Sequence, residues 1–81
     1  MDAMKVEVRL FGSLREYLPQ DARGHRAFVE LDDGSTVHSL LQRLGVPNIS
    51  YVVTVNDEAV DALHQLQDGD VVSVFPPIAG G

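Results

Sequence analysis

Residues 4–11, Met-Lys-Val-Glu-Val-Arg-Leu-Phe, alternate in character: Met4, Val6, Val8 and Leu10 share one parity, Lys5, Glu7 and Arg9 the other. An extended chain turns successive side chains to opposite faces, so the pattern predicts a strand with one buried and one wet face. Gly12 and Ser13 break it. Ser13 is placed to cap a short helical turn through Leu14, Arg15, Glu16, Tyr17 and Leu18, which Pro19 stops. Residues 20–25 read as a loop. Residues 26–31 read as a second strand, antiparallel to the first, closed by the turn Asp32-Asp33-Gly34.

The spacing then changes from two to three and four. Val37, Leu40, Leu41 and Leu44 stand at i, i+3, i+4 and i+7, the stripe of an amphipathic helix. Thr36 is the expected N-cap, with Ser35 as the alternative; Gly45 suits a left-handed C′ position, and Pro47 follows it. Tyr51–Val55 is a third strand and Asn56-Asp57-Glu58 a turn. Residues 59–67 are ambiguous, with a short strand at Ala59-Val60 followed by an irregular stretch carrying Leu63 and Leu66. After the turn Asp68-Gly69-Asp70, the run Val71-Val72-Ser73-Val74-Phe75 predicts a strand buried on both faces. Pro76-Pro77 ends it, since proline cannot donate to a ladder. This order predicts an α+β fold, a mixed sheet of four or five strands curled around one main helix. It also predicts one domain over residues 1–75 and a flexible tail over 76–81.

Length and composition narrow the function. At 81 residues there is room for one small core and little left for a deep active site of its own. Apolar residues at 44% with 22% charged residues argue against disorder. The longest apolar runs are too short for a membrane helix, and the first residues lack the order of a secretory signal. There is no cysteine, which excludes disulfides, thiolate metal sites and a cysteine nucleophile. A cytoplasmic location is the resulting expectation, with no membrane partner.

Charge placement points to a kind of partner. The six basic groups, Lys5, Arg9, Arg15, Arg23, Arg26 and Arg43, all precede residue 44, whereas Asp57, Glu58, Asp61, Asp68 and Asp70 follow it unbalanced. With a formal net charge of −6, nucleic acid is not an expected partner, because phosphate binding needs clustered cations. A basic protein surface facing the acidic half is.

No side-chain constellation reads as catalytic. His25, His38 and His64 are scattered, without metal-ligand spacing, and each is read as an ordinary surface or structural residue. The glycines before residue 80 stand singly at turns, so there is no phosphate-binding loop. What remains is the end, Phe75-Pro76-Pro77-Ile78-Ala79-Gly80-Gly81. Two prolines favour an extended exit, and two bare glycines allow a backbone to pass through a narrow channel. Six residues beyond Phe75 reach roughly 20 Å when extended. A carboxylate on Gly81 is an unhindered acyl group but, being ionised, a poor acyl donor; adenylation by ATP is the usual activation. On this reading the chain is a macromolecular acyl substrate rather than an enzyme.

The sequence resembles the ubiquitin-like sulfur-carrier family of the MoaD and ThiS proteins over nearly its whole length. Val8-Arg9-Leu10-Phe11-Gly12-Ser13-Leu14-Arg15-Glu16 is similar to the opening of the MoaD-like branch, and Gly34-Ser35-Thr36-Val37 through Leu44-Gly45 to the family helix. Asn56-Asp57-Glu58, Asp68-Gly69-Asp70-Val71-Val72 and the tail are also family-like, and Phe-Pro-Pro before the glycines favours the molybdopterin branch. The resemblance implies a β-grasp fold and a Gly81 that a ubiquitin-activating-type enzyme adenylates with ATP and magnesium. The chain itself would bind no cofactor. A sulfur donor then converts Gly81 to a thiocarboxylate. Pro76, Pro77, Ile78, Ala79 and Gly80 would thread the active site of a molybdopterin synthase large subunit, with Phe75 on the binding face. The alternatives are a thiazole synthase partner in thiamine synthesis, another sulfur-transfer pathway, or a protein-modifier role.

Overall fold

The computed structural model describes residues 3–47 and 51–76. The opening alternation forms strand β1 (Ala3–Leu10), with Met4, Val6, Val8 and Leu10 buried and Lys5, Glu7 and Arg9 on the other face. It pairs antiparallel with β2 (Arg26–Asp32), whose Ala27, Val29 and Leu31 turn to the same core. Helix α1 (Val37–Leu44) buries Val37, Leu40 and Leu41 in that core. β3 (Val52–Val55), β4 (Glu58–Val60) and β5 (Val71–Phe75) complete the sheet. Among the described residues it has five strands in the order β2-β1-β5-β3-β4. β1 and β5 are parallel at its centre, and the other neighbours are antiparallel. This is the expected mixed sheet around one helix, the β-grasp arrangement.

The ends of α1 follow the sequence signals closely. Thr36 Oγ1 accepts from the Ser39 N–H, and Ser39 Oγ accepts from the Thr36 N–H, closing a capping box with serine in the place usually held by glutamate. Gly45 is left-handed at φ +82°. Its N–H donates to the Gln42 carbonyl and the Val46 N–H to the Leu41 carbonyl, a Schellman closure. The irregular stretch after β4 completes the helix start. His64 and Ala62 carbonyls accept from the N–H groups of Val37 and His38, donors that a first turn leaves orphaned. Leu66 N–H donates to Ser35, and its side chain fills the core.

Three local expectations change. Ser13 caps nothing: a 3₁₀ turn runs Gly12–Tyr17, preceded by Phe11, with no side-chain cap. Leu14, buried at its centre, holds the turn to the core instead. The turn after β3 is only Asn56-Asp57. Both residues are left-handed, as a type I′ hairpin requires, and Glu58 already belongs to β4. β5 is central as expected but is not buried on both faces. Val72 and Val74 enter the core and Ser73 is covered, whereas Val71 is half-buried and Phe75 exposed.

One buried carboxylate ties the last turn to the β3–β4 hairpin. Asp70 accepts from Asn56 Nδ2 at 2.9 Å and from the Gln67 N–H at 2.8 Å, and Asn56 Oδ1 accepts from the Val71 N–H at 3.0 Å. Asp70→Ala leaves Asn56 Nδ2 and the Gln67 N–H without their acceptor. It is expected to lower unfolding free energy by about 1–3 kcal/mol in urea titrations; an unchanged midpoint would place the network outside the folded state's stability.

Candidate functional site

The root of the tail is built by the parallel pairing of the first and last strands. Arg9 stands beside Ser73 and Leu10 beside Val74. Phe11 N–H extends that ladder by donating to the Val74 carbonyl at 3.1 Å. Phe75 and Phe11 therefore leave the sheet side by side on its helix-free face. Their rings stack with centroids 4.7 Å apart and planes 6° from parallel. His25, in the turn just before β2, packs against Phe11, centroids 4.9 Å apart and tilted 32°. Leu10 N–H donates to the His25 carbonyl, which fixes the loop that carries the imidazole.

This three-ring row has an exposed apolar neighbour. Val52 is the cross-strand partner of Phe75 on β3 and is 56% exposed, against 38% for Phe75. Stacking accounts for part of the difference, because Phe11 covers one face of the Phe75 ring. An apolar patch of this kind beside a chain exit is a surface suited to a protein partner. Polar groups border it: Arg9 Nε donates to Glu7 Oε2 on the same face of β1.

Pro76 is the last described residue and is half-buried. It lies against Gly12, where a Cβ would stand 2.9 Å from Pro76 Cγ. Gly12 also has φ +57°, a left-handed backbone that side chains disfavour. Glycine is thus required twice at one position, by its own backbone and by the proline on top of it. Pro76, read from the sequence as the start of a free tail, is in this way seated on the domain.

The other tail residues singled out from the sequence, Pro77, Ile78, Ala79, Gly80 and Gly81, lie outside the described residues. Sequence reasoning found Phe75 but missed Phe11, His25, Val52 and Gly12 as its neighbours. A signal for Phe11 existed: it shares the parity of Lys5, Glu7 and Arg9, so it is an aromatic residue on the polar face of β1. Among the described residues, no three His, Asp or Glu side chains converge to hold a metal ion. His38 and His64 are exposed and apart from the tail root.

Gly12→Ala is expected to cost about 1–2 kcal/mol from backbone strain alone, plus the displacement of Pro76. In a Pro76→Gly background the second part disappears. A double-mutant cycle by chemical denaturation reads the difference, and strict additivity would refute the contact.

The comparisons with known proteins converge on one family. The ThiS family model matches residues 8–81. Small archaeal modifier protein 3 from Haloferax volcanii is 30% identical over 96 aligned residues, covering 96% of this chain and all of that protein. The crystal structure of SAMP1 from Haloferax volcanii superposes with a TM-score of 0.73 at 26% identity, covering 95% of this chain and 99% of that one. A chain in the complex of subunits 1 and 2 of the molybdopterin-converting factor from Helicobacter pylori gives 0.57 at 31% identity, covering 96% and 100%. The chain belongs to the ThiS family, among the ubiquitin-like sulfur carriers and modifiers.

Proposed function

We propose that this chain carries sulfur on Gly81 and donates it in molybdopterin synthesis as the small subunit of the synthase. The observation that supports this most directly is the position of the tail root. The central strand β5 ends in Phe75, with Pro76 next, beside the exposed patch of Phe11 and Val52. A partner that seats on that patch receives the following residues at its own surface. The Helicobacter pylori relative, in a complex of subunits 1 and 2, favours a large synthase subunit as that partner.

The chemistry is acyl activation. An oxygen of the Gly81 carboxylate attacks the α-phosphorus of ATP on an adenylating enzyme, and pyrophosphate leaves. Hydrosulfide supplied by the donor then attacks the acyl carbon, expels AMP and loses its proton, leaving a thiocarboxylate. The side chain–free Gly80 and Gly81 remove steric bulk from both steps. Phe75 and Phe11 supply apolar area for docking, and Pro77, Ile78 and Ala79 span from the patch to the reacting end. ATP and magnesium act on the enzyme, and this chain contributes the acyl group.

One observation favours a second reading. A relative aligned over 96% of this chain is named a modifier protein. Modification uses the same acyl adenylate, with a lysine amine of a target protein as the nucleophile in place of sulfur.

Intact-mass measurement separates the two. Incubation with the cognate adenylating enzyme, ATP, magnesium and a sulfur donor is expected to exchange one oxygen for one sulfur, and the exchange is lost when Gly81 is deleted. High-mass isopeptide adducts instead would establish the modifier, and an unchanged mass with an enzyme active on another carrier would overturn both. Phe11→Ala is expected to weaken binding to the large subunit by about tenfold, as loss of a central aromatic contact does. Unaltered affinity would remove the patch from the interface.

A further inference from the structure

The outer edge of β2 is open over a short, defined length. On β1, Glu7 N–H donates to Asp70 and Phe11 N–H to Val74, so odd-numbered residues turn their backbone toward β5. Leu10 N–H donates to His25, so even-numbered residues turn toward β2. With Val8 opposite Ala27 and Val6 opposite Val29, the backbone groups of Phe28 and Glu30 point away from the sheet. Arg26 points the same way, but its N–H and C=O are exchanged with those of Arg23 at 3.2 and 2.9 Å. The Asp32 carbonyl accepts from the Ser35 N–H at 3.1 Å. Among the described residues, nothing takes the N–H and C=O groups of Phe28 and Glu30.

The side chains beside this gap are not those of a protected edge. Phe28 is 59% exposed, with the Lys5 ammonium 5.8 Å from its ring centroid. A groove runs along the edge toward α1, formed by Tyr17, Val29 and Leu44 with Arg43 at its rim. It continues past Phe28 between Arg23 and Arg26. Four of the chain's six basic groups, Lys5, Arg23, Arg26 and Arg43, line this edge, against Asp21, Glu30 and Asp32, in a chain of net charge −6.

We propose that this edge of β2 is a binding site for a short extended peptide of a partner protein, apolar at alternate positions and flanked by acidic residues. The peptide pairs its backbone with Phe28 and Glu30. Alternate side chains enter the groove of Tyr17, Val29 and Leu44, and its acids face Arg23, Arg26 and Arg43. Strand addition of this kind takes affinity from main-chain hydrogen bonds and selectivity from alternate side-chain positions. A second copy of the chain fits poorly. Antiparallel self-pairing centred on Phe28 or Val29 drives the copy's strand onto Arg23, which already occupies the position beside Arg26. The register that avoids this sets Glu30 opposite Glu30, and like charges directly opposite destabilise a sheet. The edge lies across β1 from β5, so a peptide here leaves the Phe75–Pro76 exit uncovered.

The probe is a fluorescein-labelled Val-Ile-Val-Ile-Asp-Asp-Asp amide titrated with the full chain, read by anisotropy and by amide hydrogen exchange. Saturation is expected with a Kd of about 10–100 µM, as suits a small interface. New exchange protection is expected at Phe28 and Glu30 and none at Ala59, the outward residue of β4 on the opposite edge. Phe28→Pro removes an outward donor without touching the β1 ladder and is expected to weaken binding at least about tenfold. Arg26→Glu serves the same purpose if the proline variant does not fold, and a peptide with lysine for aspartate should bind about tenfold more weakly. Absence of saturation, protection at β4 instead, or full affinity in a folded variant would overturn the proposal. So would concentration-dependent dimerisation of the free chain that protects the same amides.

Discussion

The parallel pairing of β1 with β5 is the constraint from which the rest of the architecture follows. Parallel neighbours cannot be joined by a hairpin, and a crossover is obligatory. Here the crossover is everything between them: β2 returns along one side of β1, α1 crosses the sheet, and β3 with β4 covers the far side of β5. The first and last strands thereby become neighbours in the interior of the sheet, with β5 at its centre. Val6, Val8, Leu10, Val72 and Val74 are buried together at that seam. β5 is paired on both sides, so the place where the chain leaves the sheet at Phe75 is set by β1 and β3. The precision of the exit is a property of the sheet centre rather than of the tail.

The same seam explains why the tail root carries aromatic residues on the face without a helix. Parallel strands in register keep side chains of matching parity side by side. Phe11 beyond Leu10 and Phe75 beyond Val74 have no choice but to meet there, and their stacking turns two ring faces that would be wet into one contact. Gly12 is the complement of this arrangement. The chain must turn sharply after Phe11 to start the 3₁₀ turn, and it must do so beneath Pro76. A side chain there would move either the turn or the proline, and with it the direction in which the tail leaves.

Much of the fold was legible because burial on one face imposes a period. Met4 to Leu10 gave β1 its two faces, and Val37, Leu40 and Leu41 gave α1 its stripe, with Thr36 and Gly45 marking its ends. The misreadings share a physical cause. Ser13 has the chemistry of a cap but sits inside a turn that Leu14 anchors by burial, which local capping rules do not see. Phe75 reads as buried because it ends a run of valines, yet it lies beyond the sheet neighbours that cover Ser73. The site was legible only in part for a related reason. Phe75 and the glycines stand together in the chain, whereas Phe11, His25 and Val52 reach them through strand order, which local pattern does not encode.

Strand order also divides the surface into regions with different tasks. The acids after residue 44 fall on β4, its connection to β5 and the turns between them, and the basic groups on β1, β2, α1 and the turns joining them. On the side that carries the basic groups, where acids also occur, β2 is an edge whose backbone is answered at Arg26 and Asp32 and left open between. On the centre line, β5 carries the exit. The proposed carrier role asks the chain to meet more than one protein, one that loads it and one that receives its cargo, both acting on Gly81. Separation of a second recognition surface from that end lets a partner hold the domain without occupying the reactive group. In so small a protein, placing the tail on the central strand is what leaves an edge free for the purpose.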